Sequence, residues 1–287
     1  MDEQSFSRRT WSSNSAVLIL LMCAILFSPL SGRGMADEGT LKWDLWCTSP
    51  LIGQIAGFIG GVQVKVHVLT DWDEKGELLP FVRSSELPAD AAVLVLNDEE
   101  STLLGLDVNP KLNVYLLYSR IPVPDRQINS LFSDPAALPF LAQRILTALS
   151  YFDPQHYSYF QRRLAEFQSR LESTILVGMR LLGNVKVLDI SLHSRRLLQA
   201  AGCDILEPAD DFWGWIDSPD SIDFYSGEFK GYREKDVVVV ADFWTPFPLR
   251  TFMIENNTGV VFQKPDPHED LFLSFHMKFL SIWNERK

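Results

Sequence analysis

The chain has 287 residues, 46% of them hydrophobic, which is enough for one large or two medium domains with sizeable cores. A net charge of −11 and a pI near 4.9 argue against a nucleic-acid partner, because phosphate neutralisation needs clustered Lys and Arg that this sequence lacks. There is no phosphate-cradling glycine loop, no paired-cysteine zinc pattern and no internal repeat.

In chain order, Arg8 and Arg9 precede an apolar run at 16–27, followed by Ser28-Pro29 and the small residues around Gly34-Met35-Ala36. This is the pattern of a secretory signal over 1–36, and it places the mature protein in the periplasm or another extracytoplasmic compartment. The run is shorter than the roughly 20 residues that span a bilayer, so an uncleaved anchor is the less favoured alternative. Cys47 and Cys203 remain after cleavage and read as two free thiols rather than a bridge.

Residues 37–133 are expected to form an N-terminal βα lobe. A strand at 41–46 leads through Thr48-Ser49-Pro50 into a helix carrying Leu51, Ile52, Ile55, Phe58 and Ile59 on one side, ended by Gly60-Gly61. Residues 62–69 alternate with period two, as in a half-buried strand, and His67 is an ordinary residue of that strand. An acidic loop at 71–77 follows, then a turn or helix to Leu87. The continuous apolar runs at 91–96 and 113–117 read as strands covered on both faces.

Residues 134–184 are predicted to be a helix pair. Asp before Pro is a helix-start signal, because a carboxylate can cap free N–H groups while Pro takes a position whose donor is not needed. It occurs at Asp134-Pro135, for a helix to about Tyr151, and again at Asp153-Pro154. In the second helix Phe160, Leu164, Phe167, Leu171, Ile175, Met179 and Leu182 recur at three- and four-residue steps until Gly183-Asn184. At 1.5 Å per residue, 154–182 would measure roughly 43 Å, a rod suited to joining two lobes.

Residues 185–287 repeat the same grammar as a C-terminal βα lobe. The spacing predicts a strand at 185–190, Ser191 capping a helix at 192–201, and a short strand at 203–206. A loop-rich insert at 207–231 follows, with a helix start at Ser218-Pro219. Then come a buried strand at 236–241, a helix at 247–255, a strand at 259–263 and a closing helix at 271–283. Phe212, Trp213 and Trp215 in the insert are either a plug for the lobe's edge or an exposed stacking surface. Asp189, Ser191 and His193 have the residue types of a nucleophilic triad, but five consecutive positions cannot align nucleophile, base and orienter, so no catalytic residue is assigned. The fold class is α/β, two βα lobes bridged by one long backbone helix.

This order of parts resembles the solute-binding proteins of ABC importers for zinc and manganese, the cluster A-I type. The resemblance rests on Thr48-Ser49-Pro50 with its helix to Gly60-Gly61, the two Asp-Pro starts, the strand at 237–241, and Thr258-Gly259 before a strand ending near Asp266-Pro267. It covers about residues 41–284. It implies a transition-metal ion, Zn2+ or Mn2+, held between the lobes by three histidines and a carboxylate, and docking on an ABC permease. This sequence departs from that pattern. The loop of the first histidine holds Asp71, Asp73 and Glu74, Ser130 and Ser191 occupy the next two histidine positions, and only the carboxylate is kept, as Asp266. Neutral hydroxyls are poor zinc ligands.

The expectation is therefore a monomeric extracytoplasmic solute-binding protein, not an enzyme, with a degenerate or remodelled metal site. Its candidate ligands are Asp73, Glu74, His193 and Asp266, with His268 as a further cleft residue. The alternative is a binding scaffold that kept the fold, lost metal binding, and holds another extracytoplasmic protein.

Overall fold

Two four-stranded sheets, each built only of parallel pairs, carry the architecture. The computed structural model describes residues 42–119, 125–209, 211–215 and 221–286. The expected signal at 1–36 and the helix start at Ser218-Pro219 lie outside these residues.

The first sheet begins with β1 (Trp43–Cys47), α1 (Pro50–Gly60) and β2 (Val64–Val68). Ser49 caps α1 by accepting the amide N–H of Ile52. A hairpin follows, β3 (Thr70–Trp72) paired antiparallel with β4 (Leu78–Pro80), then β5 (Ala92–Val95), α2 (Asp98–Leu103) and β6 (Asn113–Leu116). The sequence read 71–77 as a loop and passed over α2. The hairpin forms because Asp73 closes its turn, its carboxylate accepting from the N–H groups of Lys75 and Glu77, both at 2.9 Å.

The helical layer is α3 (Leu138–Phe152) and α4 (Tyr157–Leu182). Neither Asp-Pro pair starts its helix directly. Asp134 Oδ1 instead closes a turn onto Ala136 N, and α3 begins at Leu138. Pro154–His156 form a 3₁₀ turn ahead of α4. The Asp153 carboxylate caps no backbone group, because it accepts Trp43 Nε1 at 3.1 Å and sits 2.6 Å from His156 Nδ1.

The buried face of α4 is Phe160, Leu164, Phe167, Leu171, Thr174, Gly178 and Leu182, so it departs from the expected stripe after Leu171. Met179 is exposed, because the closing helix comes in over Gly178: a Cβ there would stand 2.7 Å from the Phe279 ring.

The second sheet comprises β7 (Lys186–Asp189), α5 (Arg195–Ala200), β8 (Asp204–Leu206), α6 (Ser221–Arg233), β9 (Val238–Ala241), α7 (Phe247–Asn256), β10 (Val260–Val261) and α8 (Leu271–Glu285). Much of the predicted loop-rich insert is thus helix α6. The helix expected from 192 begins only at Arg195: Ser191 donates to Asp189 and accepts Ser194 N at 3.3 Å, closing a turn ahead of the helix.

Strand orders are β2-β1-β5-β6 and β10-β9-β7-β8. In each sheet the first strand lies between the second and the third, so the two windings are the same although the sequence carries no visible repeat. Alternation explains the continuous apolar runs. Leu94, Leu96, Val187, Val238 and Val240 face one core shared with α1, α3, α4 and α8, while Val93 and Val95, or Leu188 and Val239, face separate outer clusters. That shared core runs through Lys42–Lys287, which forms one compact unit. No helix among the described residues is long and apolar enough to cross a membrane.

Candidate functional site

Open parallel sheets bind ligands outside the carboxyl ends of their strands, where the winding changes direction. In the first sheet that place lies between β1 and β5. Thr48, fully buried, donates from its hydroxyl to Glu100, whose carboxylate also accepts Leu96 N at 3.2 Å. Thr70 donates to the Thr48 carbonyl at 2.5 Å, tying the hairpin to the strand end. Burial pushes the Glu100 carboxyl above its ordinary range, against the opposing effect of its two hydrogen bonds.

In the second sheet the equivalent place lies between β7 and β9, marked by Asp189 and Asp242. Asp189 accepts Ser191 N at 3.0 Å and Ser191 Oγ at 2.6 Å, and burial raises its pKa. Asp242, 1% exposed, accepts His193 N at 2.7 Å on one oxygen and Trp244 N and Thr245 N, at 3.1 and 3.0 Å, on the other. These contacts hold the 190–194 turn against the 242–245 turn. His193 is buried. Its ring packs edge-to-face on Trp244 with centroids 4.9 Å apart, and burial lowers its pKa against the opposing charge of Asp242.

The two strand-end regions are joined by the hairpin of the first sheet. Trp72 on β3 meets Trp244 edge-to-face at 5.5 Å. Lys264, beyond β10, places Nζ 2.6 Å from Asp71 Oδ2 and donates to the Trp72 carbonyl at 3.0 Å. Arg250 on α7 donates through Nε to Thr245 O at 2.8 Å and through Nη2 to the Glu74 carbonyl. The crevice is filled by aromatic rings and bounded by two cations of the second half holding acceptors of the first.

Each expected site residue has a definite place. The Asp73 carboxylate is committed to the hairpin turn, and the Glu74 side chain is exposed while its carbonyl takes Arg250. Asp266 is exposed, its carboxylate accepting His268 N at 2.8 Å and its carbonyl taking Gln54 Nε2. His268 lies in a separate groove between α1, β2 and the start of α8. Ser130 belongs to the 3₁₀ stretch Asp125–Ser133, which packs against α5. Among the described residues, no three His, Cys, Asp or Glu side chains form a group that could hold a metal ion, so Asp73, Glu74, His193 and Asp266 are not assembled as a ligand set.

Sequence reading missed Trp72, Trp244, Arg250 and Lys264. Each is an unremarkable core or surface type, and only the pairing across the crevice gives it meaning.

Cys47 and Cys203 are free thiols. Burial pushes the first up, and burial with the Asp189 charge pushes the second up to about 12, so neither is a ready thiolate. Phe212 is buried against Tyr225 and Trp215 stacks on Phe224 at 4.6 Å, so both serve as packing, while Trp213 is 37% exposed.

No family model and no curated protein matches the sequence. Solved structures do match. ZnuA superposes with a TM-score of 0.60 at 15% identity, over 86% of this chain and 100% of that one. The laminin-binding protein Lmb of Streptococcus agalactiae, described as bifunctional with adhesin and metal-transporting activity, gives 0.59 at 13% identity, over 85% and 100%. The solute-binding protein FpvC of Pseudomonas aeruginosa, solved with Mn2+, gives 0.56 at 14% identity, over 85% and 98%. The chain has the fold of these metal-binding solute-binding proteins, as the resemblance in its sequence implied.

Proposed function

We propose that this chain is an exported binding protein that keeps the two-lobed receptor architecture of metal ABC importers, closes its crevice with its own side chains, and acts by holding another extracytoplasmic protein. The observation that carries this reading is Lys264, whose ammonium sits on Asp71 at 2.6 Å and fastens the β3–β4 hairpin to the second half of the chain. Behind it Trp72, His193 and Trp244 fill the space. Imidazole and carboxylate suit zinc and manganese, yet the carboxylates of Asp73 and Asp266 are occupied by turns and that of Asp71 by lysine. The neighbour Lmb, described as both adhesin and metal transporter, supports protein binding as a use of this fold. The partner is an ABC permease or another extracytoplasmic protein, and the chain works as a monomer.

A second reading, capture of Zn2+ or Mn2+ by Asp73, Glu74, His193 and Asp266, is favoured by one observation: His193 Nδ1 is buried with no hydrogen-bond partner. It requires the hairpin to lift, freeing Asp73 and Glu74. Isothermal titration of metal-free protein with zinc and manganese separates the two. The closed-crevice reading expects no submicromolar uptake of either ion and an unchanged melting temperature. Tight uptake that disappears in Asp266→Ala would overturn it in favour of the second.

A further inference from the structure

Outside the crevice, Lys278 stands beside two aromatic rings with no carboxylate in ion-pair contact among the described residues. Lys278 projects from α8 beneath β10, its Nζ 5.4 Å from the centre of the Phe262 ring and 5.7 Å from that of Phe275. Among the described residues it makes no ion pair, whereas the neighbouring Lys264 is committed to Asp71 and the Trp72 carbonyl. Burial lowers the Lys278 pKa, and the charges of Asp242 and Glu269 act to keep it protonated. An ammonium partly withdrawn from water gains from a paired anion, and ring faces supply only part of that gain.

Lys278 also opens onto a cavity of about 330 Å³ whose apolar surface comes from Val261, Phe262 and Met277 and whose polar lining is Gln263, Lys264, Glu269, Ser274 and Ser281. That volume falls at the small end of the roughly 300–1,000 Å³ typical of ligand pockets. An apolar surface beside the Lys278 ammonium sets the chemistry of an occupant. An inorganic anion would gain the charge but leave the apolar surface uncovered, and a dianion would bring its second charge toward Glu269. We propose that this cavity binds a small organic monocarboxylate, its carboxylate on Lys278 and its hydrocarbon part against Val261, Phe262 and Met277. The proposal does not depend on whether the crevice takes a metal.

Titration calorimetry with octanoate tests it, using octylamine as the control of equal chain length and opposite charge, and acetate as the control without a hydrocarbon part. Octanoate is expected to saturate at one per chain, and octylamine and acetate are expected to bind at least about tenfold more weakly. Lys278→Met should weaken octanoate by at least about tenfold while Lys278→Arg retains most of the binding. Should Lys278→Met fail to fold, NMR of the unaltered chain decides. Octanoate contacts to the Met277 methyl support the site, and contacts confined to other surfaces overturn it. Failure of octanoate to bind, equal binding of octylamine, or full binding by a folded Lys278→Met protein would each overturn the proposal.

Discussion

Lys264 and Asp71 lie 193 positions apart in the chain and 2.6 Å apart in the fold, and their contact fastens the β3–β4 hairpin across the crevice. Both side chains remain partly in water, 37% and 47% exposed, so the pair by itself contributes about 0.2–1 kcal/mol. Lys264→Ala is therefore expected to lower global stability only slightly. Its effect should appear locally, as faster amide hydrogen exchange at the hairpin. Unchanged exchange at 70–80 would show that the aromatic contacts hold the hairpin alone.

Trp244 is the larger contributor to closure. Its ring touches Trp72, His193 and Phe243, and the hairpin's Gly76 packs on it so closely that a Cβ would stand 2.9 Å from the indole. Trp244→Ala should cost about 3–5 kcal/mol in denaturant unfolding, as aromatic truncations in cores do. Trp244→Phe should recover much of that, because it keeps a ring and removes an indole N–H that is buried without a partner.

Gly178 sets how closely α4 and α8 approach. Replacing a helical glycine by alanine would normally stabilise by about 1 kcal/mol. Here the added methyl meets Phe279, which is fully buried and cannot swing aside. Gly178→Ala is expected to destabilise on balance by about 1–2 kcal/mol, the range of overpacking costs, and Gly178→Val by more. A stabilised alanine variant in urea unfolding would contradict the packing described for these helices.

Glu100 supplies a pH test. Its folded pKa is raised by burial, so the native state binds its proton more tightly than the unfolded chain does. The contribution is fully present below the unfolded carboxyl value and is lost as pH rises through the raised one. Glu100→Gln keeps an acceptor for Thr48 and Leu96 and removes the charge. Its melting temperature should exceed that of the unaltered protein at pH 7, with the difference vanishing in acid. A constant difference across pH would mean that Glu100 does not titrate as described.

Much of the architecture was legible in the residues. Runs such as 92–95 and 238–241 are apolar at every position because both faces of a parallel strand are covered, a pattern that survives in one dimension. The Phe160-to-Leu171 stripe likewise announced α4. Legibility ended where a distant element chose the contact. Gly178 faces the core because Phe279 arrives from α8, and Asp153 forgoes capping because Trp43 reaches it from β1.

The sequence alone determined the periodicity, the buried strands and long helix, and the replacement of two expected histidines by Ser130 and Ser191, since these depend on residue type and spacing. Only the tertiary structure decided that His193 is buried, that Asp73 and Asp266 are spent on local turns, and that Lys264 reaches Asp71. The burial of His193 against Trp244 and the reach of Lys264 to Asp71 join elements 51 and 193 positions apart, and packing and hydrogen bonding at such range leave no mark on local pattern.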